Sequence, residues 1–288
     1  MKRLFLPLFG LLVITSYGQI TPDTDMFGKM YAIYEQSPIF FTEIPIENFT
    51  YSSLYLNHRE GNLHLAQEAK EQTDFGLRSY GFYRHKRINF FGKLNLQRVY
   101  QKDKAWTLSD GEVQPNGIMP DPHYFAVSRP APWVNQQYNI FGGAGFPIYK
   151  QIWDMTLSTR INYEEKFRET YDPRPKTSHN ELFFAAQTAF HIYNKHKIAL
   201  SAEYGYNKVT NKMKFTDEEG QTPNNFTKYN RWQLGYGTFQ LTSNANNKRN
   251  NDYYGFSFGY HYTGELHKLL VEGSYKNTLT HTYRNGHE

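Results

Sequence analysis

Eleven histidines, scattered carboxylates and a few serines are the groups in this chain that could do chemistry. Their spacing argues against each chemistry in turn. The histidines fall as His58/His64, His191/His196 and His261/His267, which match neither a two-residue pair nor a helical i, i+4 metal pair. The doublet Glu164-Glu165 places its carboxylates on opposite faces of a strand, so it cannot serve alone as a glycosidase pair. Serines near His and Asn suit acyl transfer, yet no spacing singles out a nucleophile. Cysteine is absent, which removes thiolate zinc sites, cysteine nucleophiles and disulfide scaffolds. The expectation is a protein that is not an enzyme, with no catalytic residue, no metal and no cofactor.

The elements that carry these groups alternate with a period of two from about Asn48 onward. In the clearest stretch, Trp153, Met155, Leu157, Thr159, Ile161 and Tyr163 share one face, while Asp154, Thr156, Ser158, Arg160, Asn162 and Glu164 share the other. A helix would mix these two sets, whereas a pleated strand separates them. The same reading holds for 88–97, 181–192, 198–207, 231–236 and 254–262. Half-buried soluble strands also alternate, so length has to decide. Ten steps from Trp153 to Tyr163 make about 33 Å, or about 25 Å when tilted by ~40°, the height of an outer-membrane apolar band. Sandwich strands run only ~5–6 residues.

Composition agrees. The chain has 24 Tyr, 22 Phe and 4 Trp among 288 residues, so it is far from disordered. Taking Tyr out of the 39% apolar fraction and adding Gly leaves roughly 38%, below the ~45–50% of soluble domains. An apolar outside around a wet polar inside reconciles the two. Residues 1–18 read as a secretory signal, with Lys2 and Arg3, an apolar run from Leu4 to Ile14, and a cut near Gly18/Gln19. Without Lys2 and Arg3 the formal charge falls from +5 to +3, too little to argue for nucleic acid.

The expected fold is therefore all-β, an antiparallel transmembrane β-barrel with about 10–11 strands seen. Residues 19–47 form a periplasmic lead-in and 48–288 the barrel, which the polar C-terminus suggests is cut before its closing strands. Short connections at 85–87, 147–150 and 194–196 alternate with long ones at 102–134, 169–179 and 210–227, as periplasmic turns and outer loops do. The scheme loosens beyond Ser243. By parity Arg160, Glu164, Glu181, Glu203, Arg231 and Glu272 face the lumen. They set ion preference in a wide barrel or pair and plug a narrow one. Trp153, Tyr163, Tyr204, Tyr206, Trp232, Tyr260 and Tyr262 sit where aromatic girdles lie. The 102–134 segment, with Trp106, Tyr124, Phe125 and Trp133 among many Pro and Gly, reads equally as a lid or as an ordinary folded loop.

One order of residues resembles a known family. Asp121-Pro122-His123-Tyr124 precedes the glycine-rich strand 138–145, and a long strand then ends at Arg168 before the loop Asp172-Pro173-Arg174-Pro175. With Gly92-Lys93-Leu94-Asn95-Leu96 and Trp106, this resembles an uncharacterised Bacteroidota family of outer-membrane β-barrels, catalogued as a domain of unknown function. The resemblance covers about residues 30 to 280. It implies a fold and a compartment but no activity, and its members run longer. The 172–175 element reads as a structural stop to the ladder, since two prolines remove two amide donors. The leading expectation is a channel or uptake-associated barrel for small polar solutes in the outer membrane of a Gram-negative cell, meeting membrane lipid and no nucleic acid. A structural or secretion-accessory barrel that docks partners through its loops, and a surface-acting barrel hydrolase, are the alternatives.

Overall fold

The computed structural model describes residues 31, 35, 37, 39, 41, 48–62, 68–105, 125–126, 129–150, 152–168, 170, 174–193, 195–214, 230–235, 238–242, 245–264 and 268–284. The secretory signal read over 1–18 lies outside them. Nine long antiparallel strands make one sheet: β1 (Asn48–Glu60), β2 (Glu71–His85), β3 (Ile88–Lys104), β5 (Ala131–Tyr149), β6 (Trp153–Phe167), β7 (Arg174–Ile192), β8 (His196–Lys214), β11 (Ala245–Thr263) and β12 (Lys268–Arg284), in that spatial order. Three short strands, β4 (Phe125–Ala126), β9 (Asn230–Gly235) and β10 (Thr238–Thr242), form a second sheet in the order β10-β9-β4. The chain is thus all-β. Among the described residues the large sheet is open, with β1 and β12 as its two edges.

The strand count differs from the expected 10–11 for a definite reason. Segment 231–236 alternates like a wall strand, yet β11 pairs with β8 along its whole length, from Ala245 opposite Met213 to Tyr262 opposite His196. That pairing occupies the free edge of β8, and β9 pairs instead with β4 and β10. Arg231 and Trp232 therefore do not belong to the wall, which corrects their assignment to the lumen lining and the girdle. The same register repairs the connection scheme. The short links are 86–87, 150–152, 193–195 and 264–267, all at one end of the sheet, and the long ones are 61–70, 105–130, 168–173 and 215–244, all at the other. The alternation never breaks, because 245–251 is strand rather than turn. Three of the tight turns hold a left-handed residue, Lys86, Lys150 and Tyr193, the backbone sense that suits two antiparallel strands with right-handed twist.

Cross-strand register sorts the side chains onto two faces with inverted chemistry. Leu54, Phe75, Phe90, Ile140, Leu157, Ile161, Phe184, Leu200, Phe256, Val271 and Tyr275 share one face and are all exposed, Leu54 to 73%. Asn89, Thr156, Thr177, Gln187, Lys197, Asn207, Asn211, Asn247, Asn251 and His261 share the other and are all buried. In water that arrangement would forfeit roughly 1.5–3 kcal/mol for each large apolar side chain left out. Aromatic residues mark two levels on the apolar face. Trp153, Phe190, Tyr260 and Tyr262 lie toward the short turns, whereas Tyr138, Tyr163, Tyr204, Tyr206 and Tyr254 lie toward the long loops. Trp153 stacks on Phe190 at 5.8 Å, and Tyr204 meets Tyr254 at 5.4 Å.

Gly81, Gly92 and Gly142 stand side by side across β2, β3 and β5 on the apolar face. Gly81 and Gly92 line a groove of about 470 Å³ bordered by Thr50, Tyr83, Phe90, Leu94 and Ile140. Behind it, on the opposite face, Tyr80, Phe82, Phe91 and Phe141 form the main aromatic cluster. The neighbouring Gly143 shows how tightly this region closes. A Cβ there would stand 2.3 Å from the Leu157 carbonyl oxygen and 2.5 Å from the Phe91 ring. Gly143→Ala should therefore destabilise by about 1–3 kcal/mol, read as a lower urea midpoint. An unchanged midpoint would show that the strand yields there at no cost.

Candidate functional site at the polar inner face

The face opposite the exposed apolar stripe gathers the titratable side chains, and strand register decides which of them meet. Nearest the short turns, Asp154 on β6, His191 on β7, Lys197 on β8 and His261 on β11 form one row, for His191 pairs with Lys197 and Lys197 with His261. Asp154 Oδ2 lies 2.7 Å from His191 Nε2 and 3.7 Å from Lys197 Nζ. The Lys197 side chain is only 4% exposed, so its charge depends on partners held within the protein. Sequence reading placed Asp154, His191 and His261 on the inner parity but saw no reason to join them. Lys197 was missed. The usable signal was position, since Asp154 and Lys197 each follow a short turn by one or two residues.

Along the same face, four of the expected lumen-lining residues are tied to neighbours. Arg160 covers the Phe141 ring at 5.8 Å. Glu181 accepts a hydrogen bond from the Asn162 amide. Glu203 pairs with Lys276 at 2.8 Å, a reach that Gly255 permits because a Cβ there would strike the Glu203 side chain. Glu164 accepts from Asn135 at 2.8 Å and Gln137 at 2.7 Å, with Lys166 at 3.4 Å. Glu272 lies on this face by register, opposite Gly259 on the edge strand β12. Glu165 points to the other face, where it takes the Tyr163 hydroxyl and Lys176. The doublet is thus divided as a strand requires.

Of the Asp172–Pro175 element, Asp172 and Pro173 lie outside the described residues. Arg174 and Pro175 open β7 rather than sitting in a loop that ends at His179, and Pro175 is fully buried opposite Met213. The reason is that proline lacks only the donor. Its carbonyl still accepts from the Arg168 amide at 3.1 Å, so Pro175 starts a ladder where it was expected to stop one.

The described residues of the 19–47 segment, read from sequence as a periplasmic lead-in, pack against the sheet. Tyr31, Ser37, Ile39 and Phe41 are buried on the inner face. Phe41 stacks on Phe91 at 4.4 Å, and Tyr31 meets Phe41 at 5.0 Å and Tyr80 at 5.1 Å. Ile39 clusters with Ala189 and Ala199, and its backbone amide donates to Gln187 Oε1 at 2.8 Å. Glu35 pairs with Lys93 at 2.7 Å. Burial, with the Glu35 carboxylate nearby, raises the Tyr31 phenol above its ordinary range and keeps it protonated. Two residues that stand only two positions apart thus reach β3 on one side and β7–β8 on the other. In a flat sheet those strands would be about 14–19 Å apart, so the sheet curves around this strip. Its sequence gives no periodic signal, because it contributes single apolar side chains to a surface made by distant strands.

Among the described residues no group of three or more His, Asp or Glu side chains could hold a metal ion. The model of DUF6850, described as a family of unknown function, matches residues 38–288, and the chain belongs to that family. No curated protein matches the sequence. Among solved structures, the chain is similar to BauA, the ferric preacinetobactin receptor from Acinetobacter baumannii, at 8% identity and a TM-score of 0.39. The alignment covers 82% of this chain, which spans 43% of the length of that one.

Proposed function

We propose that the chain, after removal of residues 1–18 by cleavage near Gly18/Gln19, builds the wall of a Gram-negative outer-membrane β-barrel. In this reading it belongs to the Bacteroidota type and admits small polar solutes along its inner face. One observation carries the proposal: large apolar side chains stand exposed on one face along every long strand while the buried Asn, Thr, Gln, Lys and His side chains lie on the other. That inversion suits a molecule whose outer solvent is hydrocarbon. Strict alternation of short and long connections supports it, as do the two aromatic levels ten residues apart on β6. The inner rows of Asn, Thr, Lys, Glu and His offer hydrogen bonds to a hydrated solute.

The test is conductance. The full-length protein, folded into planar bilayers, should pass small ions and sugars, and cell fractionation should place it in the outer membrane. A folded, membrane-inserted protein that stays silent at every voltage and after every opening variant would end the solute reading.

A second reading, an accessory barrel that docks partners through its long-loop end, draws on one specific feature. The β4–β9 pairing joins the 105–130 connection to the 215–244 connection, which makes a folded platform out of two loops. Deleting 230–242 would separate the two readings, since docking would be lost while conductance persisted.

A further inference from the structure

We propose that the outward side of β7, β8 and β11, at the tyrosine level and just past it toward the long loops, binds the phosphorylated headgroup of a membrane lipid. This rests on the barrel reading above and names one class of lipid that the exposed face meets.

Strand register gathers the cations. Lys176 on β7 stands directly opposite Lys212 on β8. Lys248 on β11 pairs with Thr210, which places it diagonal to both Lys208 and Lys212. All four stand on the outward side, Lys176, Lys212 and Lys248 exposed and Lys208 half-buried, since the buried Thr177, Val209, Asn211 and Asn247 take the alternate positions. Arg174, also exposed, extends the row along β7. Like charges directly opposite on a sheet, with Cβ atoms about 5 Å apart, repel. The Lys176/Lys212 pair is therefore unfavourable until an anion lies between its two ends.

The outward carboxylates of this region do not supply that anion. Glu165 meets Lys176 at 2.8 Å and also accepts from the Tyr163 hydroxyl. Asp252 accepts from the Tyr204 hydroxyl at 3.0 Å. At the long-loop end of β1–β3 the outward charges balance instead, for Glu60 and Glu71 offset Arg98 and Lys102, and Lys102 holds Glu71 at 2.7 Å. The excess is local. Ser178 stands beside Lys176 on the same side and adds a hydroxyl. Converging ammonium groups with a hydroxyl suit a phosphate, whose oxygens accept charge-assisted hydrogen bonds. Toward the short turns the same three strands carry Tyr204, Tyr206 and Tyr254, then the exposed Phe184, Leu200 and Phe256. A headgroup held by the lysines thus lays its acyl chains along an apolar stripe that a free phosphate ion would leave bare.

The test titrates the full-length protein in neutral detergent micelles with phosphatidic acid, phosphatidylcholine or inorganic phosphate, counting adducts by native mass spectrometry. Phosphatidic acid should bind the wild type in preference to phosphatidylcholine. Each lysine should contribute about fivefold, the worth of a basic residue at an anionic membrane surface. Lys176→Gln, Lys212→Gln and Lys248→Gln together should therefore weaken phosphatidic acid about a hundredfold, while Lys102→Gln leaves it unchanged. If the wild type inserts into phosphatidylcholine vesicles but the triple variant keeps its affinity, or both lipids bind alike, the lipid site is overturned while the barrel stands. Inorganic phosphate binding as tightly as phosphatidic acid would overturn the lipid as occupant. A wild type that enters no vesicle ends the barrel reading and this one with it.

Discussion

Leu157→Arg should lower the stability of the bilayer-inserted protein by about 2–4 kcal/mol, the depth-dependent cost of an arginine at the middle of a barrel's lipid face. Leu157 stands midway between Trp153 and Tyr163 on β6, 47% exposed, with the small residues Ala144 and Ala186 directly beside it. No neighbour there offers a carboxylate, and snorkelling to either aromatic level means crossing about half the band. Phe167→Arg, beyond Tyr163 on the same strand face, should cost only about 0–1 kcal/mol. The measurement is reversible urea unfolding from lipid vesicles for both variants. In a protein whose exposed face meets water, either change would fall within about 0.5 kcal/mol. Equal and negligible losses would remove the lipid from the account altogether.

Asp154→Ala should destabilise by about 1–3 kcal/mol, the cost of removing a carboxylate that meets His191 and lies close to the buried Lys197. The carboxylate lies against both His191 and Lys197, and the lysine is almost wholly enclosed. Removing both charges, with Asp154→Ala and Lys197→Met together, should recover most of that loss, because a buried pair replaced by apolar groups of similar size is often neutral. The same unfolding assay reads the cycle. A single variant that loses less than about 1 kcal/mol would mean that water reaches the row and screens it.

How much of this was legible in the sequence depended on where a residue lies along its strand. Between the aromatic levels one face is apolar and the other polar, so Trp153–Tyr163 and 198–207 announced themselves. Beyond those levels the exposed face turns polar and the covered face keeps only scattered apolar residues such as Val209 and Met213, so the period-two signal fades. Arg174–His179, Thr210–Lys214 and Ala245–Asn251 were therefore read as loop, although each continues a ladder. The opposite error came from 231–236, whose alternation is real but whose partners are β4 and β10. Alternation reports one covered face and says nothing of which sheet covers it. Parity and register agree in putting Arg160, Glu164, Glu181, Glu203 and Glu272 on one face of the sheet, the face of Asp154. Parity could not join Asp154 to Lys197, since their contact depends on the register of three strands. The inner strip was the least legible part, because Tyr31, Ile39 and Phe41 satisfy a need created by residues 40 to 160 positions away.

The nine-strand count has a directional consequence. Each neighbour in the sheet runs against the last, so β1 and β12 point the same way, from short turns toward long loops. Two copies held in the same orientation cannot zip β12 to β12 antiparallel, for one of them would have to be turned end over end. Joining β1 directly to β12 would require a parallel seam. Any all-antiparallel seal between these two margins must interpose an odd number of strands, the first descending beside β12 from the long-loop side.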